Sequence, residues 1–452
     1  MMLEILKVQD VGEKELLQKL DMTPGAFYTL KSRLTPKLVQ YYTTLNENRI
    51  RLLREEAARI SFVVLNNERM ISVSFLKELE KKLIAYDMSS ELAVVYKQLV
   101  RLNRFDDSYE EYERAYQKHI AFSLAVSKAE DLLYEYIYLL GYYHITGEKT
   151  YREQLDDLLE ELENTFNLYE SHRLYTIFQI VRHYHRCTFL STEELKKLEL
   201  EVEEMMRKLD DIFSLYDLDP FYAVIHNLIP FLNFEYYVRI HNQIKADYYL
   251  EEISIQIEFQ FKAHLWGFFI TQFLLSLIYK LKIDGNLESF FKPAEKFRMG
   301  YFVEQNEISH LVIFFRYKAL QSFYKKNYSQ AALDINNLLN IANFKTLPRL
   351  SIEFRLFQAF MYAQQGDEEL YLKLSASAKR KAAEFQDMAI SVKNFTKVLF
   401  LLNKGRHNHV SSDKLKKYWE RFDSEEGNPA GLLGFMHLQF ELVESLLTEQ
   451  LT

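Results

Sequence analysis

Residues that interrupt helices are nearly missing from this chain: seven prolines and twelve glycines are spread over 452 positions. A backbone so rarely broken continues as helix until a capping residue or a tertiary contact ends it. Along these stretches Phe, Tyr, Leu and Ile recur at three- and four-residue spacings, which places them on one helical face. Aromatic residues make up 15% of the chain, so the faces are bulky and must be buried against neighbouring helices. The expected fold is all-α, with antiparallel helix pairs stacked from end to end. A globular chain of this length would ordinarily divide into several domains, but stacked pairs can form one continuous array.

Turn chemistry divides the array. Met2 to about Thr44 reads as short helices, with Lys14 to Leu20 leading into the turn Asp21-Met22-Thr23-Pro24-Gly25 and then Ala26 to Leu34. Thr23 suits an N-cap with Pro24 in the first helical position, and Thr35-Pro36 marks a second start. Polar turns near Asp87-Met88-Ser89-Ser90, Phe105-Asp106-Asp107-Ser108, Thr146-Gly147-Glu148-Lys149, Ser191-Thr192 and Asp217-Leu218-Asp219-Pro220 separate later hairpins. After Ser191, Thr192 is the expected cap of a helix over Glu193 to Leu215, whose stripe holds Leu195, Leu198, Val202, Met205, Met206, Leu209, Ile212 and Phe213. Three regions follow: 1-62, a helical module with a charged connecting helix; 63-300, a degenerate hairpin array; and 301-452, regular repeats with a C-terminal cap.

The most apolar window, Leu265 to Tyr279, is flanked by Lys262, His264 and Lys280 and contains Gln272. It falls short of the ~20 apolar residues a membrane span needs, so a buried central helix is expected. A net charge of -8 gives no global attraction to nucleic acid or an anionic membrane. The single cysteine, Cys187, excludes an internal disulfide and points to a reducing, cytoplasmic setting.

Few residues suggest chemistry. His183 and Cys187, four apart, share a helix face and could supply two metal ligands, with His172 as a distant third, but no Cys-x-x-Cys or His-Glu-x-x-His accompanies them. Asp156, Asp157, Glu160, Glu161 and Glu163, and Glu199, Glu201, Glu203 and Glu204, alternate with lysines and leucines as solvated faces do. The His407-Asn408-His409 segment matches no motif. Phosphate-loop, dinucleotide-binding and nucleophile-elbow patterns are missing too. No enzyme, cofactor or metal is expected.

Parts of the chain resemble known families. Tyr317 to Leu333 is similar to the first helix, tight turn and second-helix start of a tetratricopeptide-type repeat, with small Ala319 and Ala331 at the crossing positions and Tyr328 three residues before Ala331. Phe357 to Asp367 repeats the pattern with Ala359 and Gly366, although Tyr371 stands where a small residue is usual, and Tyr138 to Gly147 is a third, weaker copy. The period of about 40 is longer than the usual 34. The resemblance implies a right-handed superhelical array, a TPR-like α-solenoid, whose inner groove binds a peptide or protein. The aromatic anchors would be Tyr142, Tyr143, Phe323, Tyr324 and Tyr362.

Glu15 to Leu34 resembles a helix-turn-helix, with Asp21 where the motif prefers glycine. Lys31, Arg33, Lys37, Arg49, Arg51 and Arg54 oppose only Glu47 between Met22 and Arg54. The alternative is therefore a DNA-binding regulator, of a kind known among bacterial tetratricopeptide-type proteins, that exposes Thr23, Tyr28, Lys31, Arg33 and Lys37 to a groove.

Overall fold

The computed structural model describes residues 22–45, 49–169, 171–216, 220–225, 228–260, 266–293, 307–405, 412–424, 433–436, 440 and 443–444. Among them there is no β-strand. The chain folds into two compact units, one of Met1–Tyr136 with Asp157–Leu232, the other of Ile137–Asp156 with Asn233–Thr452.

The first unit begins with α1 (Pro24–Leu45), α2 (Arg49–Ala58) and α3 (Ile60–Asn66). The expected new start at Thr35-Pro36 does not occur, because α1 runs through both residues as one helix. Next come α4 (Arg69–Ala85) and α5 (Ser89–Leu102), packed on each other and on α2. Leu76, Leu79 and Leu83 of α4 form a three- and four-residue stripe that is fully buried with Leu92, Val95 and Leu99 of α5 in one apolar cluster. Burying each such side chain contributes about 1.5–3 kcal/mol. Asp87 turns this hairpin in a left-handed conformation, with φ 49°.

Two long helices, α6 (Tyr109–Thr146) and α7 (Lys149–Leu168), precede α8 (His172–Phe189). The segment read as a single helix after Ser191 is two: α9 (Thr192–Lys197) and α10 (Glu199–Leu215). The cap is Ser191 rather than Thr192, because Glu194 sits at the right distance to close a capping box. Ser191 Oγ accepts the Glu194 N–H at 3.3 Å and Glu194 accepts the Ser191 N–H at 2.8 Å. The stripe itself is as expected, with Leu195, Val202, Met205, Met206, Leu209 and Phe213 all buried. The short α11 (Pro220–Ile225) packs on α10.

The second unit holds most of α12 (Ile229–Arg239), then α13 (Gln243–Gln260), α14 (Trp266–Asp284) and α15 (Leu287–Phe291). The apolar window lies on α14, where Phe269, Ile270, Phe273, Leu274, Leu277 and Ile278 are buried together with the polar Thr271, Gln272, Ser276 and Lys280. No described helix is long and apolar enough to cross a membrane.

Three hairpins complete the unit: α16 (Ile308–Tyr324) with α17 (Tyr328–Ile341), α18 (Pro348–Gln365) with α19 (Glu368–Ala382), and α20 (Gln386–Gly405) with α21 (Ser412–Asp423). Each helix packs on the next, and α18 also packs on α20, as stacked pairs require. The repeat is visible in single residues spaced 40 positions apart. Ala319 and Ala359 are both fully buried. Asn327 and Asp367 both cap the second helix, accepting the Gln330 N–H at 3.1 Å and the Leu370 N–H at 3.0 Å. Lys326 and Gly366, just before these caps, both have positive φ, 58° and 80°. Tyr371 is accommodated as a core residue, 2% exposed, in place of the small Ala331.

Candidate functional site

Four helices of the second unit, α12, α14, α16 and α18, contribute to one cavity. Residues from the end of α6, from the turn after it and from the segment Leu433–Met436 complete its lining. Its volume is about 330 Å³. Ile145, Leu275, Ile278, Ile313 and Phe435 supply apolar surface, and His144, Thr146, Arg239, Tyr279, Arg316 and Glu353 supply polar groups.

The charged groups are held firmly. Arg316 and Glu353 are both under 10% exposed, and Arg316 Nη2 donates to Glu353 Oε2 at 2.7 Å. The guanidinium lies 5.8 Å from the Phe354 ring and 5.0 Å from the Phe435 ring, which fixes its plane. Its Nε is buried with no hydrogen-bond partner among the described residues. Arg239 stacks on Tyr279 with 4.3 Å between guanidinium carbon and ring centroid. One turn before it on α12, Glu235 is 2% exposed, and burial pushes its carboxyl up to about 8 despite the opposing charge of Arg239. Burial, helped by Arg239, pushes the His144 imidazole down to about 3. Acid and imidazole are thus both mainly neutral near pH 7.

The remaining wall is the short segment Leu433–Met436. Leu433, at φ 60°, donates its N–H to Glu353 Oε1 at 3.0 Å. Met436 accepts the Tyr324 hydroxyl at 3.1 Å through its carbonyl, and Phe435 packs 5.7 Å from Phe357. The face formed by α16 and α18 therefore holds main-chain as well as side-chain groups of a short segment.

The expected aromatic anchors fall in different places. Tyr324 is half-buried and holds Met436 as described. Phe323 is 3% exposed and packs on Phe360 at 5.9 Å, so it belongs to the core. Tyr142 is half-buried between Tyr138, at 4.8 Å, and Tyr151, at 5.7 Å, and burial raises its phenol. Tyr143 lies beside His144, whose ring is in the cavity wall. Tyr362 is half-buried near the end of α18, where its carbonyl accepts the Asp367 N–H at 3.0 Å.

At the N-terminal end, Thr23 caps α1 as expected, its Oγ1 accepting the Ala26 N–H at 3.4 Å. Tyr28, Arg33 and Lys37 are exposed. The Lys31 side chain, the first helix of the helix-turn-helix resemblance and His407-Asn408-His409 lie outside the described residues.

The metal-ligand pair is spent internally. His183 Nε2 lies 3.0 Å from the Leu232 carbonyl and 3.6 Å from Cys187 Sγ, all buried. No cluster of three or more His, Cys, Asp or Glu that could hold a metal occurs among the described residues. In the second carboxylate run Glu201 is on the surface, paired with Arg182 at 2.9 Å and Arg186 at 3.0 Å. A second hollow, of about 550 Å³ in the first unit, is lined by Leu52, Leu53, Ala85, Tyr86 and Leu215. Its charged residues, Glu56 and Lys82, satisfy each other at 2.9 Å.

The cavity of the second unit was not foreseen from the sequence, although a signal was present. Arg316 follows the apolar run Leu311-Val312-Ile313-Phe314-Phe315, and Glu235 sits in a similar one, so each demands a buried partner. No protein-family model, no curated protein and no solved structure matches this chain.

Proposed function

We propose that this chain is a non-enzymatic helical-repeat scaffold of tetratricopeptide type, in which a right-handed superhelical stack of pairs presents its inner helices to a peptide or protein. The observation that carries this reading is the grip of α16 and α18 on Leu433–Met436. Tyr324 and Glu353 there bind a carbonyl and an N–H of the main chain, the groups common to every peptide. A cavity walled by several helices is the second support. Of the two groups whose protonation burial shifts most here, Glu235 and His144, only His144 lines the cavity, so the two do not face it together as an acid–base pair.

Titration of the full-length protein with a random peptide library, read by hydrogen exchange, tests the reading. Binding should slow exchange in α12, α14, α16 and α18. Absence of any peptide binding tighter than about 1 mM would refute it.

A second reading, a DNA-binding regulator, is favoured by the exposure of Tyr28, Arg33 and Lys37 on one helix. Duplex binding that weakens steeply with salt, and that falls further in an Arg33→Ala, Lys37→Ala variant, would support it. Salt-independent binding, or none, would remove it.

A further inference from the structure

We infer that Leu433–Met436 is a tethered ligand: on the face formed by α16 and α18 it fills the place of an external peptide of the same apolar pattern, which binds by displacing it. This deepens the peptide-binding reading and rests on it. The first ground is where the segment lies. The last hairpin ends with α21 at Asp423, yet Leu433 and Met436 return to Glu353 and Tyr324, 80 and 112 positions earlier in the chain. Their contact is therefore tertiary and stands outside the repeat, in which each helix packs on the next.

The second ground is the manner of the contact. Glu353 Oε1 accepts the Leu433 N–H at 3.0 Å and the Tyr324 hydroxyl donates to the Met436 carbonyl at 3.1 Å, one side chain at each end. Between these ends the Met436 N–H meets the Leu433 carbonyl at 2.9 Å, which closes the segment into a single turn. A turn closed on itself and anchored by side chains can leave without unwinding any helix of the array. Leu433 also sits at φ 60°, a costly conformation for a leucine, so the turn stays only while its contacts outweigh that strain.

The contacts define the chemistry of the displacing peptide. Leu433 and Met436 are buried, at 2% and 0% exposure. Phe435 lies 5.0 Å from the Arg316 guanidinium and 5.7 Å from the Phe357 ring. A Cβ added at Gly434 would meet nothing within 4 Å among the described residues, so the second position accepts other side chains. The charges of the receiving face, Arg316 and Glu353, are already paired at 2.7 Å, and the segment brings none of its own. The ligand is thus apolar, then any residue, then aromatic, then apolar. Its first residue needs an N–H for Glu353, which excludes proline. Gly434 and Phe435 also line the cavity of about 330 Å³, so displacement opens that space to the flank of a longer peptide. Carried on the same chain, the segment competes at an effective concentration on the order of millimolar, which disfavours a free peptide until an anchor is removed.

The test uses the full chain and the N-acetylated peptide Leu-Ala-Phe-Met with an amidated end, its affinity read by calorimetry. Phe435→Ala weakens the tethered copy and leaves the receiving face intact, so this variant should bind the peptide at least tenfold more tightly than the wild type. Pro-Ala-Phe-Met should bind the variant at least tenfold more weakly than Leu-Ala-Phe-Met. A second measurement needs no variant: with excess Leu-Ala-Phe-Met, the wild-type amides of Leu433–Met436 should exchange faster while those of α16 and α18 exchange more slowly. Equal affinity of variant and wild type, or a segment that stays protected while α16 and α18 gain protection, overturns the displacement and spares the peptide reading. Binding of random-library peptides but not of Leu-Ala-Phe-Met does the same. Failure of both this peptide and the library to bind either protein overturns both.

Discussion

Changing Glu353 to glutamine removes one charge from the cavity and almost nothing from its shape, so it isolates what the buried pair does. In the native protein Arg316 Nη2 meets Glu353 Oε2 at 2.7 Å with both side chains under 10% exposed. The neutral amide can still accept the Leu433 N–H, now at 3.0 Å. What is lost is the counter-charge of a guanidinium that is only 7% exposed. Breaking a buried pair from one side costs about 3–5 kcal/mol, because the remaining charge is left uncompensated. For a body of this size, that is roughly 2–4 °C per kcal/mol, a fall on the order of 10 °C in melting temperature. Exchanging both partners, as Arg316→Met with Glu353→Gln, should recover much of the loss, since no buried charge is then stranded. Hydrogen exchange should localise the effect to α16, α18 and Leu433, the elements that carry the pair. A single-variant cost below about 1 kcal/mol, the range of an exposed pair, would show that water reaches Arg316 and would refute the reasoning.

Other perturbations follow from the same geometry. Gly366 has φ 80°, so Gly366→Ala should lower stability by about 1 kcal/mol, while Lys326→Gly at the equivalent turn of the preceding hairpin should be neutral or stabilising; urea denaturation compares them. A Cβ on Gly141 would lie 2.6 Å from Ser309 Oγ and 3.0 Å from its Cβ. Gly141→Ala should therefore destabilise despite its better helix propensity, by about 1 kcal/mol net, and Ser309→Gly should relieve the clash. Glu235 holds its proton up to about 8 when folded, against 4.5 when unfolded, so the folded form binds the extra proton and stability falls as pH rises through that window. His144, pushed down to about 3 from 6.5, acts oppositely below pH 6.5, which leaves the loss visible between about 6.5 and 8. Urea midpoints at those two pH values should correspond to a difference on the order of 1–2 kcal/mol in the wild type and hardly any in Glu235→Gln.

The architecture was largely legible because its determinants are local. The stripe from Leu195 to Phe213 and the spacing of Ala319, Ala331 and Ala359 need only the helix period and a small residue at each crossing. The caps Asn327 and Asp367, which the sequence reading did not name, obey the same kind of local rule. Local rules failed where two of them competed. Ser191 and Thr192 are both acceptable caps, and the position of Glu194 decides for the first. Pro36 lacks an N–H and suggests a new start, yet the helix continues through it. The cavity was illegible for a different reason. His144, Arg239, Arg316, Glu353 and Phe435 come from five elements far apart in sequence, and no linear pattern joins them. Only the presence of charged residues in apolar runs, as at Arg316 and Glu235, hints that such a place exists. Tyr324 and Phe323 illustrate the limit at single-residue scale: adjacent aromatics on one helix, one holding Met436 and the other sealed in the core.

The matched turns at Asn327 and Asp367 have a genetic consequence. Because both of these hairpins carry their own left-handed residue and their own cap, a segment of forty codons between them can be duplicated or excised in frame without leaving a second-helix start unsatisfied. Array length is thus a quantity that recombination can alter in whole steps, each new copy arriving with the means to start and stop its own helices.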